Sequence, residues 1–181
     1  MSTIHEKLGV LEVAAVVCSA LARSGVRAVL SGGAVVSIYS DNAYESKDLD
    51  FIVEGIAKKV DPAMEELGFR RQAGRFWTHP RTEFWVEFPS GPLQVGHAPV
   101  TEVDEMETPV GLLWLLPPTE CVMDRLAAYY HWNDSQSLDQ AVAVAARQSV
   151  DLDRIRAWSR GEGAGAETRF ERFVRTLRRV T

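Results

Sequence analysis

Near the N-terminus, Leu8, Leu11, Ala14, Ala15, Cys18 and Leu21 recur at intervals of three and four, the spacing of a helix with one buried face. A helix is therefore expected over Ile4 to Arg23, with Gly25 as its stop. Arg27 to Leu30 reads as a short strand running into Ser31-Gly32-Gly33, and a second, short helix over Ala34 to Tyr39 begins at that turn. The polar stretch Ser40 to Lys47, with Asp41, Asn42 and Ser46, predicts a loop leading into a strand over Asp48 to Val53. After Gly55, the positions Ile56, Val60, Met64 and Leu67 predict another amphipathic helix, in which Pro62 either breaks the pattern or marks the true first turn, and which Gly68 closes.

Phe69 to Trp77 and Glu83 to Phe88 read as two strands of a hairpin turning at His79-Pro80-Arg81-Thr82. Alternation along the second puts Glu83, Trp85 and Glu87 on one face and Phe84, Val86 and Phe88 on the other. Leu93 to Val95 and Gly111 to Leu116 are further strand candidates, and the acidic stretch Thr101 to Thr108 between them takes no clear assignment. From Pro117-Pro118-Thr119-Glu120 the period becomes helical, with prolines at the start and an acid in the first turn. Helices are expected over Thr119 to His131, Ser137 to Arg147, Asp151 to Arg160 and Glu167 to Val180. The outline is an α+β chain, a mixed sheet flanked by helices over residues 1–116 followed by a helical region over 117–181.

Composition narrows the class. A chain of 181 residues, 46% hydrophobic and 25% charged, can bury a core of its own and falls outside the disordered range. A net charge of −5 argues against a surface devoted to nucleic acid, which carries a basic footprint. The segment from Asp151 onward is the exception, with eight arginines against five acids. Cys18 and Cys121 each fall within an expected helix among apolar neighbours, so no disulfide framework is expected, and a reducing, cytoplasmic setting follows. His5, Glu6 and Lys7 stand where a secretory leader needs a basic and then an apolar run. No stretch approaches the roughly 20 apolar residues of a membrane span.

The candidate chemistry centres on Asp48-Leu49-Asp50. Two carboxylates one residue apart on a strand point the same way and can share a hard cation. Magnesium is usually held by one or two carboxylates together with a substrate's phosphates. The Gly32-Gly33 pair at a helix start offers close backbone amides to such phosphates. Phosphoryl or nucleotidyl chemistry also profits from a third acid on a neighbouring strand. Glu87, central in Phe84-Trp85-Val86-Glu87-Phe88, is preferred over Glu83 at the turn end.

With these residues in place the chain resembles the nucleotidyltransferase superfamily of the polymerase-beta-like fold: a hydrophobic strand, a glycine turn, a short helix, Asp-hydrophobic-Asp, and a third acid on a later strand. Gly32-Gly33, Asp48-Leu49-Asp50-Phe51 and Glu87 take those positions. Within it the chain looks most like the small bacterial nucleotidyltransferases of the abortive-infection and toxin-antitoxin kind and their uncharacterised relatives. The resemblance implies transfer of a nucleoside monophosphate from a nucleoside triphosphate to an acceptor hydroxyl on RNA, protein or a small molecule, with pyrophosphate leaving. It implies two Mg2+ ions on Asp48, Asp50 and Glu87, which are also the catalytic residues, and a nucleotide held by Ser31, Gly32, Gly33 and Arg125. It also implies a non-catalytic alternative, a nucleotide-binding or toxin-antitoxin regulatory module of the same fold with a cognate protein partner. Asp134 matches an acid that such relatives carry after the first of the later helices. Ser31 stands where a hydrophobic residue is usual, and the fourteen residues Ala34 to Lys47 make a long connection.

Each assignment has a structural competitor. Asp48 and Asp50 could be exposed acids pairing with Lys47, the glycines a plain turn, Glu87 a solvent-facing residue, Arg125 a surface charge pairing Glu120 or Asp124, and Asp134 a helix cap. Tyr129, Tyr130 and Trp132 could stack a base or pack between helices. The arginines from 169 to 179 could touch RNA phosphates or form a solvated face.

Overall fold

The computed structural model describes residues 3–54, 57–72 and 75–181. Its first helix, α1 (Val10–Arg23), starts later than the apolar spacing predicts. Glu12 accepts the Gly9 amide at 2.9 Å and fixes the start there, while Ile4 enters the core from a non-helical segment. β1 (Arg27–Ser31) follows, then α2 (Gly32–Tyr39), then β2 (Asp48–Glu54). The helix expected from Ile56, which itself lies outside the described residues, is a 3-10 turn over Ala57–Lys59 leading into α3 (Val60–Glu66). Pro62 sits in the first turn of α3, where its missing N–H costs nothing.

The strand expected over Phe69 to Trp77 is two short strands, β3 (Arg70–Arg71) and β4 (Trp77–Thr78), paired antiparallel. The expected hairpin forms between β4 and β5 (Trp85–Glu87), with Trp77 opposite Val86. A small hairpin of β6 (Gln94–Val95) and β7 (Ala98–Pro99) comes next. The acidic stretch resolves as β8 (Asp104–Thr108), antiparallel to β9 (Gly111–Leu115). Four helices complete the chain: α4 (Pro118–Trp132), α5 (Ser135–Ala145), α6 (Leu152–Ser159) and α7 (Ala166–Leu177).

The main sheet has the order β3-β4-β5-β2-β1-β9-β8. At its centre β1 runs antiparallel to β2 and parallel to β9, and β2 runs parallel to β5. Ala28, Val29 and Leu30 are wholly buried, as expected of a strand covered on both faces. α1 packs on β1 and β9. In β2 the faces divide: Leu49 and Phe51 are fully buried, while Asp48, Asp50 and Ile52 are half-buried. Burying Phe51 alone contributes about 1.5–3 kcal/mol, so the strand's register is pinned by the face away from the acids. One buried cluster runs from α1 through the sheet into α4, α5 and α7, with α2 packed against α4 and α5.

Candidate active site

The β ladder assembles the acids. Asp48 pairs with Trp85 and Asp50 with Glu87 across the parallel β2–β5 register, so all four side chains stand on one face of the sheet. On the other side of β2, Asp50 lies opposite Ser31 at the end of β1, where the chain turns directly into α2. That helix starts at Gly32, earlier than the sequence reading places it, so the Gly32 and Gly33 amides are in its first turn.

Gly32 is dictated twice over. Its φ is +69°, a region that side chains with a Cβ disfavour, and a Cβ there would lie 2.6 Å from Asp50 Oδ2. The carboxylate occupies the space that a side chain would fill. A Cβ on Gly33 would come within 3.1 Å of Ser46 Oγ. The Ser31 hydroxyl donates to the Asp50 carbonyl at 3.4 Å and leaves the N-terminus of α2 without a side-chain cap.

The long connection from Gly33 to Asp48 is folded back on itself. Asp41 and Asn42 take left-handed backbone angles, which short polar side chains tolerate, and the Asn42 amide donates to the Ser37 carbonyl at 2.8 Å. Ser46 donates from its amide to Ser37 Oγ at 2.9 Å, and its hydroxyl exchanges contacts with the Asp48 backbone at 3.2 Å. Two serines thus tie α2 to the first residue of β2. Lys47 pairs not with Asp48 or Asp50 but with exposed Glu83, at 2.6 Å.

Burial and neighbouring charge raise the proton affinity of the two aspartates. Burial pushes Asp50 up to about 7, with the charges of Asp48 and Glu87 adding and Arg125 opposing. Asp48 is raised by burial and then by Glu87, with the Trp85 indole favouring its charged form. Asp48 Oδ1 and Trp85 Nε1 are buried, and although the indole lies near enough to favour the ionised carboxylate, neither atom has a partner within hydrogen-bond geometry among the described residues. This donor set fits a hard divalent cation, with all-carboxylate chemistry, an unmatched carboxylate oxygen and clustered negative charge. Among the described residues no three His, Cys, Asp or Glu side chains are gathered so as to hold a metal ion by themselves, so Asp48 and Asp50 would need further oxygens, such as a substrate's phosphates, to complete a cation's shell.

Arg125 projects from α4 towards the same place. Its guanidinium is bound to Asp124 and lies 3.4 Å from Gln140 Oε1. Burial alone would favour the neutral form, but the Asp124 carboxylate outweighs it and holds the guanidinium charged. Arg125 and Asp50 line two clefts. The larger, of about 520 Å3, is bounded by Gly32, Gly33, Tyr44, Ser46, Asp48 and Trp85. The smaller, of about 270 Å3, is bounded by Ser31, Ile52, Pro89, Leu93, Gln94 and Asp124.

The structure thus brings together Ser31, Gly32, Gly33, Asp48, Asp50, Glu87 and Arg125. Asp134 lies elsewhere, as the cap of α5, accepting from the Gln136 amide at 3.0 Å and the Ser137 hydroxyl at 2.7 Å. Tyr129 and Tyr130 are buried, and Tyr130 stacks on Trp158. Trp132 is exposed. Arg169 belongs to no free stripe, because it donates to the Tyr129 and Tyr130 carbonyls at the end of α4. Sequence reasoning named Asp124 as a partner of Arg125, and the structure pairs them; it placed Ser46 only in a loop and Trp85 only on the alternating face of Glu87, and it missed Tyr44 and Ser37.

No protein-family model matches the chain, and no curated protein matches it. Among solved structures it is similar to an antigenic nucleotidyltransferase-like protein from Paracoccidioides brasiliensis, with a TM-score of 0.57, 14% identity and 78% of each chain covered. It is similar also to the antibiotic-resistance factor ANT(2'')-Ia, with a TM-score of 0.51, 10% identity, and 94% of this chain and 95% of that one covered. At these identities the likeness speaks for the fold, and the fold of this chain is that of the nucleotidyltransferases.

Proposed function

We propose that the protein is a Mg2+-dependent nucleotidyltransferase. It would move a nucleoside monophosphate from a nucleoside triphosphate to an acceptor hydroxyl and release pyrophosphate. The observation that carries this reading is the parallel register that sets Asp48, Asp50 and Glu87 on one face, with Asp50 against the glycine turn that opens α2.

Asp48, Asp50 and Glu87 would hold the Mg2+ ions, and the ions supply charge neutralisation for the phosphates and the leaving pyrophosphate. The Gly32 and Gly33 amides, at the positive end of α2, bind triphosphate oxygens, with the Ser31 hydroxyl beside them. Arg125, kept charged by Asp124, lines the same cleft as Gly32 and Gly33 and would contact the same oxygens. Glu87 accepts the proton of the acceptor hydroxyl as its oxygen bonds to the α-phosphorus and the bond to the bridging oxygen breaks. Holding both reactants in line is most of the catalysis such a site provides.

Incubation with each labelled triphosphate, Mg2+ and a cell extract tests this, since label should enter RNA, protein or a small molecule. Asp50→Asn should abolish transfer with the fold intact. Equal transfer by Asp50→Asn and the parent would overturn the assignment. A second reading draws on Arg125 being committed to Asp124: the site binds nucleotide without turnover, as a sensor or as one half of a toxin-antitoxin pair. Triphosphate binding in calorimetry with no labelled product across acceptors would favour that reading.

A further inference from the structure

Trp85 has no part in the chemistry above, yet it is the residue paired with Asp48 across the β2–β5 ladder. In a parallel ladder paired residues stand on the same face, so the indole and the Asp48 carboxylate share one wall of the larger cleft, which both line. Each buries a polar atom that meets no partner among the described residues, Nε1–H on Trp85 and Oδ1 on Asp48. A buried donor left unmet costs about 1–3 kcal/mol, and a strand position facing a cleft does not need an indole for packing. One is a donor and the other an acceptor, so each offers what the other lacks.

We propose that Trp85 is a positioning residue for the cation site, its indole N–H closing onto Asp48 Oδ1 when Asp48 Oδ2 engages the ion, so that the carboxylate is held in one orientation. The inference rests on the Mg2+ reading of the three acids. A carboxylate has two oxygens, and an ion bound to one leaves the other to be fixed from outside. Neighbouring groups that fix a ligand in this way typically change metal affinity 10- to 100-fold when removed. Trp85→Phe keeps an aromatic ring and removes only the donor, whereas Trp85→His keeps a ring N–H.

Calorimetric titration of the full chain with Mn2+ and Mg2+, in the presence of a non-hydrolysable nucleoside triphosphate, separates the possibilities. The expected result is about tenfold or greater loss of metal affinity in Trp85→Phe, partial recovery in Trp85→His, and an unfolding midpoint in EDTA close to the parent's. Asp50→Asn serves as the reference. If Asp50→Asn loses the metal while Trp85→Phe binds it as the parent does, the Trp85 role is wrong and the Mg2+ reading stands. If Asp50→Asn keeps the metal, or the parent binds none, that reading fails and takes the Trp85 role with it. Should Trp85→Phe not fold, the indole N–H resonances of the parent's five tryptophans decide instead. One should move downfield as Mg2+ and nucleotide are added, and none moving overturns the proposal.

Discussion

At the scale of single residues the site is shaped as much by what is missing as by what is present. Gly32 lacks a side chain because Asp50 fills its place, and its left-handed backbone would cost another residue about 1–2 kcal/mol. Gly32→Ala should therefore destabilise the protein by at least that much in urea unfolding, and weaken nucleotide binding further by displacing the Asp50 carboxylate. Gly33 has no left-handed backbone angle, and the roughly 1 kcal/mol by which alanine is the better helix former offsets the crowding of a Cβ 3.1 Å from Ser46 Oγ, so Gly33→Ala should stay within about 1 kcal/mol of the parent. Equal losses in both variants would remove the argument from the turn. The thiols give a second check. Burial pushes Cys18 up to about 11 and raises Cys121 further, so at pH 8 almost no thiolate exists for alkylation. Iodoacetamide should label both at the rate of unfolding and not before. The acids of the site were legible from the chain because period-two alternation is a local rule. The unmet indole was not, since a donor's lack of partners depends on everything folded around it.

At the scale of elements, the sequence identified those that bury an apolar face and missed those that do not. β8 carries Asp104, Glu105 and Glu107 on a sheet edge, where charge discourages pairing with another chain and erases the apolar signal that marks a strand. Phe69 to Trp77 read as one strand because its aromatic residues suit a sheet, but the chain reverses between β3 and β4. The end of α4 shows a cap that comes from far along the chain. Asn133 terminates the helix in the left-handed conformation, and Arg169 on α7 supplies donors to the Tyr129 and Tyr130 carbonyls while its guanidinium lies 5.5 Å from the centre of the Tyr129 ring. The helical spacing of the arginines made Arg169 look like one member of a surface stripe, because nothing local distinguishes a solvated guanidinium from one bound to carbonyls. Hydrogen bonds to charged groups contribute about 1.5–3 kcal/mol. Arg169→Ala should lower unfolding stability by about 1–2 kcal/mol, while Arg172→Ala and Arg175→Ala, exposed on the same helix, should change it by less than about 0.5 kcal/mol. A loss no larger for Arg169 than for Arg172 would show that the cap is not formed in solution.

At the scale of the whole molecule, three acids gathered beside a helix N-terminus make stability depend on what neutralises them. Asp50 is raised to about 7 when folded, against an ordinary value near 4 when unfolded. The sign follows from which state holds the proton. Below about pH 4 both states are protonated and folding keeps its full advantage. Between about pH 4 and 7 the unfolded chain has lost this proton and the folded chain retains it, so stability falls as pH rises through that window. Asp48, raised by burial and by Glu87, acts in the same direction. In EDTA the thermal midpoint should therefore decline from pH 5 to pH 8 more steeply in the parent than in Asp50→Asn, whose amide cannot ionise. A cation that binds only the folded, ionised acids reverses this by mass action, so Mg2+ with a nucleoside triphosphate should restore the parent's midpoint at pH 8 and do much less at pH 5. Asp50→Asn should respond weakly at both. A parent and a variant with parallel pH profiles in EDTA would mean that Asp50 is not buried beside the other acids in solution. A gain from Mg2+ that did not depend on pH would mean that the ion is bound somewhere other than at these carboxylates.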